Sequence, residues 1–102
     1  MICDDFRDIV MDHKLSFVYF GSKNCPSCDR VSKILNDMEF DGAVVFKSPK
    51  NCFIYESYSI EVIPTVIVFK RDRIYDILIG ERPRNDYFSF LEEKDIDSLF
   101  FV

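Results

Sequence analysis

The stretch that decides the fold is Phe17–Met38, FVYFGSKNCPSCDRVSKILNDM. It begins with four strand-forming residues, passes through a Gly-Ser-Lys-Asn turn and then presents two cysteines, Cys25 and Cys28. The apolar residues that follow recur at the spacing of one helical face: Val31, Ile34, Leu35 and Met38. The sequence therefore predicts a buried strand that leads into an amphipathic helix, with Cys25 at the helix N-terminus.

This position has a chemical consequence for Cys25. Unpaired backbone N–H groups and the positive end of the helix dipole stabilise an anion at a helix N-terminus, so the thiol loses its proton more easily there. The thiolate is the nucleophile of thiol–disulfide exchange, and Cys28, one turn further along, can close a disulfide behind it. The pattern favours a redox-active cysteine pair.

Length and charge exclude several classes of protein. A chain of 102 residues is expected to form one domain, residues 1–102, with a single hydrophobic core. A net charge of -5, without a Lys/Arg-rich block, argues against a nucleic-acid-binding protein. No signal peptide is recognisable, and no apolar stretch approaches the roughly 18 residues of a membrane span. We therefore expect a protein without membrane association, located in the cytoplasm or another reducing compartment.

The remaining cysteines, Cys3 and Cys52, stand alone in the sequence, each without a second cysteine close by. Cysteines in reducing compartments are seldom structural staples, and a four-cysteine zinc site usually has two close pairs, whereas this chain has one. We interpret Cys3 and Cys52 as structural or incidental thiols, with a regulatory thiol as the alternative, and expect neither a metal ion nor a cofactor. His13, the one histidine, is expected at a helix end as a surface or capping group.

Outside the cysteine stretch, apolar periodicity and turn residues predict six further elements. They are helices at 4–14, 51–59 and from 85 onward, and strands at 43–46, 64–70 and 74–79. The resulting order, α-β-α-β-α-β-β-α, corresponds to an α/β fold with a mixed sheet of about four strands and helices on both faces. The apolar tail, residues 98–102, is expected to extend the last helix, and a weak homodimer contact there is an alternative.

Taken together, these features resemble the thioredoxin family over nearly the whole chain. The cysteine pair follows a buried strand and opens a helix, and Ile63-Pro64-Thr65 places a proline 36 residues after Cys28. Gly80 lies 16 residues after Pro64, where the family has a glycine on the second strand of the hairpin. The resemblance implies a thioredoxin fold, with a cis bond before Pro64 facing the cysteines.

The resemblance also implies an activity, the reduction of protein disulfides. Cys25 would be the attacking cysteine and Cys28 the resolving one. Substrate contacts are implied for five residues: Pro26, Ser27, Ile63, Pro64 and Gly80. A thioredoxin reductase or the glutathione system would supply the electrons.

Around the cysteines the chain departs from the family pattern. Asn24 stands where thioredoxins usually have tryptophan. Pro26-Ser27 replaces their Gly-Pro and is closer to the motif of glutaredoxins and bacterial oxidases. Lys23 and Arg30 flank the motif and would favour a Cys25 thiolate if they pointed towards it.

Tyr19 is a further departure, because the family has a buried aspartate at this position that accepts the proton of the resolving cysteine. A phenol, with a reference pKa of about 10, is a poor base at neutral pH. Either water or another group accepts that proton, or the resolving step is slow.

Three other functions stay open at this point. The first is a glutaredoxin-like activity with glutathione, although the hairpin lacks the glycines and acidic motif with which glutaredoxins usually hold the tripeptide. The second is an oxidant or isomerase, which Pro26-Ser27 permits. The third is a redox-inactive binding module built on the same fold, which the missing tryptophan and buried acid would fit.

Overall fold

The computed structural model describes residues 2–100, and the side chains of residues 2–92. Its elements are, in chain order, α1 (Asp5–Asp12), β1 (Ser16–Phe20), α2 (Pro26–Phe40), β2 (Val44–Lys47), α3 (Ile54–Ser57), β3 (Thr65–Lys70), β4 (Arg73–Ile79) and α4 (Arg84–Phe100). This is the predicted order. The dimer contact suggested for residues 98–102 concerns side chains that lie outside the described ones.

The four strands form one mixed sheet in the order β2-β1-β3-β4. β1 pairs in parallel with β2, and the helix α2 makes the crossover that a parallel pair requires. β3 pairs antiparallel with β1 and, through a tight charged turn, with β4. Helices cover both faces of this sheet, so the predicted α/β architecture is confirmed.

Two hydrophobic layers enclose the sheet because successive residues of a strand face opposite sides. In β1, Phe17 and Tyr19 face α2 and α4, whereas Val18 and Phe20 face α1 and α3. The first layer also contains Val31, Leu35, Val66, Tyr87 and Phe90. The second contains Phe6, Val10, Phe46, Ile54 and Phe69. Since both faces of β1 are covered, each of its large apolar side chains contributes on the order of 1.5–3 kcal/mol through burial.

The helix α1 is attached to the sheet by an aromatic cluster around Phe6. The Phe6 ring packs edge-on against Phe46, Phe53, Tyr58 and Phe69, with ring centroids 5.8 to 6.4 Å apart. Edge-to-face pairs of this kind add about 0.5–1.5 kcal/mol each beyond the burial of area. The cluster therefore holds the N-terminal residues beside the segment that leads into α3.

This packing accounts for a disulfide that the sequence did not predict. Cys3 and Cys52 are joined, with their Cα atoms 5.5 Å apart. Cys3 lies two residues before α1 and Cys52 two residues before α3, and the Phe6 cluster brings these two element starts together. Because the cysteines lie 49 positions apart, their spacing alone did not indicate the pairing.

Candidate active site

Cys25 and Cys28 lie at the start of α2 and are joined by a disulfide, with their Cα atoms 5.2 Å apart. Cys25 is the N-cap residue and Pro26 occupies the first turn, where its missing N–H would have no partner in the helix in any case. Cys25 is partly exposed, whereas Cys28 is fully buried. A reactant from solution can therefore reach Cys25 and not Cys28.

The sulfur of Cys25 lies among hydrogen-bond donors. The backbone N–H of Cys28 donates to Cys25 Sγ at 3.2 Å, and the Ser27 hydroxyl lies 3.5 Å from the same sulfur. Together with the positive end of the α2 dipole, these groups stabilise a negative charge on Cys25 when the disulfide is open. The arrangement is suited to a thiolate nucleophile with a second thiol one turn away.

Pro64 lies beside the cysteine loop because of the sheet register. Phe20, the last residue of β1, pairs with Thr65, so the loop that leads to Cys25 leaves the sheet next to Pro64. The Ile63–Pro64 peptide bond is cis, Pro64 is buried and the Ile63 side chain is 38% exposed.

Gly80 lies on the other side of Pro64. Thr65 also pairs with Ile79, and the N–H of Gly80 donates to the carbonyl oxygen of Pro64 at 2.8 Å. The backbone of Gly80 has a φ of +76°, which favours glycine. The structure thus brings together the two cysteines, Ile63-Pro64 and Gly80 at one end of the sheet.

Tyr19 lies beneath the cysteine pair and is 9% exposed. Its hydroxyl donates a hydrogen bond to the carbonyl oxygen of Cys28 at 3.1 Å. Burial raises the pKa of the phenol, and the charges of Asp29 and Tyr55 raise it further. Tyr19 is therefore a protonated hydrogen-bond donor at neutral pH, in agreement with the expectation that it is a poor base.

Arg30 does not act as the positive neighbour that the sequence suggested for Cys25. Its guanidinium makes two hydrogen bonds to Glu81, of 2.7 and 2.9 Å, so its charge is compensated. The bond to Arg30 lowers the pKa of the Glu81 carboxyl. Lys23 is exposed on the loop before Cys25.

His13 is the C-cap of α1 and is exposed, as expected. Its Nδ1 lies 2.7 Å from the carbonyl oxygen of Ile9. It belongs to the opposite end of the first strand from the cysteine loop, so the structure does not bring it to the candidate site.

An open cavity of about 580 Å³ adjoins the cysteine loop. The residues that line it include Gly21, Ser22, Cys52, Phe53, Tyr55 and Ile63. The Tyr55 hydroxyl donates to the carbonyl oxygen of Gly21 at 3.0 Å, which ties α3 to the start of the loop. The sequence predicts a helix over 51–59 but gives no role to Tyr55, because no local pattern indicates a contact with Gly21, 34 positions away.

Within residues 2–92 no group of three or more His, Cys, Asp and Glu side chains could hold a metal ion. None of the described helices is long and apolar enough to span a bilayer.

Comparisons with known proteins concern the fold. No protein-family model matches the chain, and no curated protein matches it in sequence. A mutant thioredoxin from Halobacterium salinarum NRC-1 superposes with a TM-score of 0.80 at 15% identity, over 88% of this chain and 82% of that one. Plasmodium falciparum thioredoxin gives 0.71 at 23% identity, over 89% and 91%. Chlamydomonas reinhardtii thioredoxin f2 gives 0.76 at 15% identity, over 92% and 93%. The predicted thioredoxin fold is confirmed.

Proposed function

We propose that this chain is a thioredoxin-type thiol–disulfide oxidoreductase that reduces protein disulfides through Cys25 and Cys28. One observation carries the proposal: the two cysteines form a closed pair at the N-terminus of α2, with Cys25 accessible and Cys28 buried behind it. The Cys28 N–H and the Ser27 hydroxyl both contact the accessible sulfur of Cys25. Thiol–disulfide exchange requires an exposed stabilised thiolate and a second thiol within reach of the mixed disulfide.

The reaction begins with the reduced pair. The Cys25 thiolate attacks one sulfur of a target disulfide, a new bond joins Cys25 to that sulfur, and the other target sulfur leaves as a thiolate that takes up a proton. Cys28 then loses its proton and attacks Cys25 Sγ, which closes the Cys25–Cys28 bond and releases the second target thiolate. Two electrons pass to the target, and the chain ends in the disulfide state. Because the Tyr19 hydroxyl is a protonated hydrogen-bond donor, it does not accept the proton that Cys28 loses, and we propose that water accepts it.

The target would lie over the accessible sulfur, against the surface that surrounds it. We assign substrate contacts to Pro26, Ser27, Ile63, Pro64 and Gly80. The half-exposed Ile63 supports this assignment, as does the exposed Pro26 next to Cys25. An extended target segment would pair with the backbone of Ile63.

A cytoplasmic reductant needs an electron source. We propose that a thioredoxin reductase or the glutathione system returns two electrons to the Cys25–Cys28 disulfide after each cycle. A reducing compartment agrees with this direction of the reaction, in which the dithiol form is the active one.

The Cys3–Cys52 disulfide favours a second candidate function, that of a disulfide donor or isomerase. Structural disulfides persist mainly in oxidising compartments, and this one joins residues 49 positions apart. In such a compartment the oxidised pair would accept electrons from target thiols, through the same mixed disulfide in the reverse direction.

The reduction potential distinguishes the two directions. The protein is equilibrated in glutathione buffers, free thiols are trapped, and Cys25 and Cys28 are quantified by mass spectrometry separately from Cys3 and Cys52. A potential near the roughly -270 mV of thioredoxin supports the reductant, and one near the roughly -120 mV of strong oxidants supports the donor.

An insulin-reduction assay tests the activity itself. The wild type is expected to reduce insulin, Cys25→Ser is expected to lose this activity, and Cys3→Ser is expected to retain it. A wild type that exchanges with no disulfide would instead be a binding module.

A further inference from the structure

Two phenols, the buried Tyr19 and the partly buried Tyr55, hold the segment that carries the cysteines. The Tyr19 hydroxyl donates to the carbonyl oxygen of Cys28, in the first turn of α2. The Tyr55 hydroxyl donates to the carbonyl oxygen of Gly21, where the same segment leaves β1. The two hydrogen bonds therefore bind the two ends of the segment Gly21–Cys28.

Both phenols are fixed by their own packing. The Tyr55 ring packs edge-on against Phe20, with ring centroids 4.9 Å apart. The Tyr19 ring passes directly under Gly21, because a Cβ added at residue 21 would overlap the Tyr19 hydroxyl. Both rings therefore pack against the end of β1 and the residue that follows it.

Within the described part of the chain, no hydrogen bond joins residues 22–24 in the middle of the segment to another element. Ser22, Lys23 and Asn24 are exposed, and Asn24 has a φ of +59°. The orientation of the Cys28 N–H towards Cys25 Sγ, at 3.2 Å, therefore depends on how firmly the ends of the segment are held.

We propose that Tyr19 and Tyr55 are positioning residues for the chemistry of Cys25, acting as a clamp that keeps the Cys28 N–H aimed at the Cys25 sulfur. Neither hydroxyl is bonded to a sulfur atom, so each acts through the backbone of Cys28 or Gly21. The proposal rests on the proposed function and explains what a tyrosine does at position 19.

The two hydrogen bonds of the clamp persist near neutral pH. Burial raises the pKa of both phenols, so both remain protonated donors over the range in which a thiol titrates. The ionisable groups near the two phenols include Lys23 in the loop, Asp29 on α2, Arg30 with its partner Glu81, Lys47 on β2 and Glu56 on α3. A Tyr→Phe substitution leaves all of these ionisable groups in place. A change in the pH dependence of Cys25 alkylation therefore reports on the Cys25 thiol.

The test uses Tyr19→Phe and Tyr55→Phe, with Tyr58→Phe as the matched control. Tyr58 is also a partly buried phenol, but its ring packs against Phe6 and Phe69 rather than against the end of β1. The full-length protein is reduced and treated with iodoacetamide between pH 5 and pH 9.5, and alkylation of Cys25 is measured by peptide mass spectrometry. Circular dichroism verifies that each variant is folded.

Both clamp variants are expected to shift the midpoint of Cys25 alkylation to higher pH. Their rates at pH 6 should fall roughly two- to tenfold, the range of one net hydrogen bond, and approach the wild-type rate at pH 9.5. Tyr58→Phe should follow the wild type. Profiles of Tyr19→Phe and Tyr55→Phe that superimpose on the wild type would overturn the clamp. Because alkylation needs no target disulfide, this result is distinguishable from a failure of the proposed function, which appears as a wild type that does not reduce insulin.

Discussion

Cys3 and Cys52 are joined by a disulfide across 49 residues, with their Cα atoms 5.5 Å apart. Cys52 also lines the cavity beside the cysteine loop, so this bond fastens the N-terminal segment to the wall of the candidate site. The molecule thus contains one disulfide that closes a very short loop and another that closes about half of the chain.

The first prediction concerns stability, because a disulfide that closes a long loop restricts the unfolded chain. In the variant Cys25→Ser/Cys28→Ser, the Cys3–Cys52 bond is the remaining disulfide. Its reduction should lower the free energy of unfolding by up to about 4 kcal/mol, on the chain-entropy estimate for a loop of this length. Urea unfolding with and without dithiothreitol measures the change.

The matched control is Cys3→Ser/Cys52→Ser, in which reduction opens only the short loop between Cys25 and Cys28. Its unfolding midpoint should respond much less to reductant. Equal responses of the two variants would contradict a stabilising role of the Cys3–Cys52 bond.

The second prediction concerns the contact between Gly21 and Tyr19. Gly21→Ala should destabilise the fold by about 1–3 kcal/mol, because the added Cβ would overlap the Tyr19 hydroxyl and ring. In the double variant Gly21→Ala/Tyr19→Leu the overlapping atoms are absent. The double variant should therefore lose less stability than the sum of the two single variants. Urea unfolding of the four proteins completes the cycle, and strictly additive losses would argue against the contact.

The third prediction concerns the hydroxyl of Ser27. It lies 3.5 Å from Cys25 Sγ, and in the reduced protein it can donate a hydrogen bond to the thiolate. Ser27→Ala should slow the alkylation of Cys25 at pH 7 by roughly two- to fivefold, in keeping with the loss of one net hydrogen bond. Ser89→Ala, an exposed serine of α4, serves as the control and should leave the rate unchanged. An unchanged alkylation rate in Ser27→Ala would show that the Ser27 hydroxyl does not stabilise the Cys25 thiolate.

The fourth prediction concerns the ion pair between Arg30 and Glu81. The hydrogen bond from Arg30 lowers the pKa of the Glu81 carboxyl in the folded protein. The contribution of this pair to stability is therefore complete above the pKa of Glu81 in the unfolded chain, and it is lost as the pH falls through the lower pKa of the folded state.

Carbon-13 NMR titration of the Glu81 carboxyl measures this directly. Its midpoint should lie below the ordinary glutamate value in the wild type and rise in Arg30→Met. Arg84→Met removes a different ion pair, with Asp37, and should leave the Glu81 midpoint in place. A Glu81 midpoint that is the same in wild type and Arg30→Met would show that the pair does not persist in solution.

The order of the elements and the layers of the fold could be predicted from the sequence. The sequence Phe17 to Phe20 predicts a buried strand, and the spacing of Val31 and Leu35 identifies the buried face of α2. These patterns are short-range. The side of a helix or strand that faces the core carries its apolar residues, so the spacing of apolar residues within one element shows which side is buried. The same reasoning placed Cys25 at a helix N-terminus.

The tertiary structure alone decided which distant side chains meet. Tyr55 reaches Gly21 across 34 residues, and Arg30 bonds Glu81 across 51 and so does not serve Cys25. Cys3 pairs with Cys52 because the aromatic cluster around Phe6 brings the starts of α1 and α3 together. Such contacts depend on the relative positions of whole elements, which the packing of the two layers sets and no local spacing encodes.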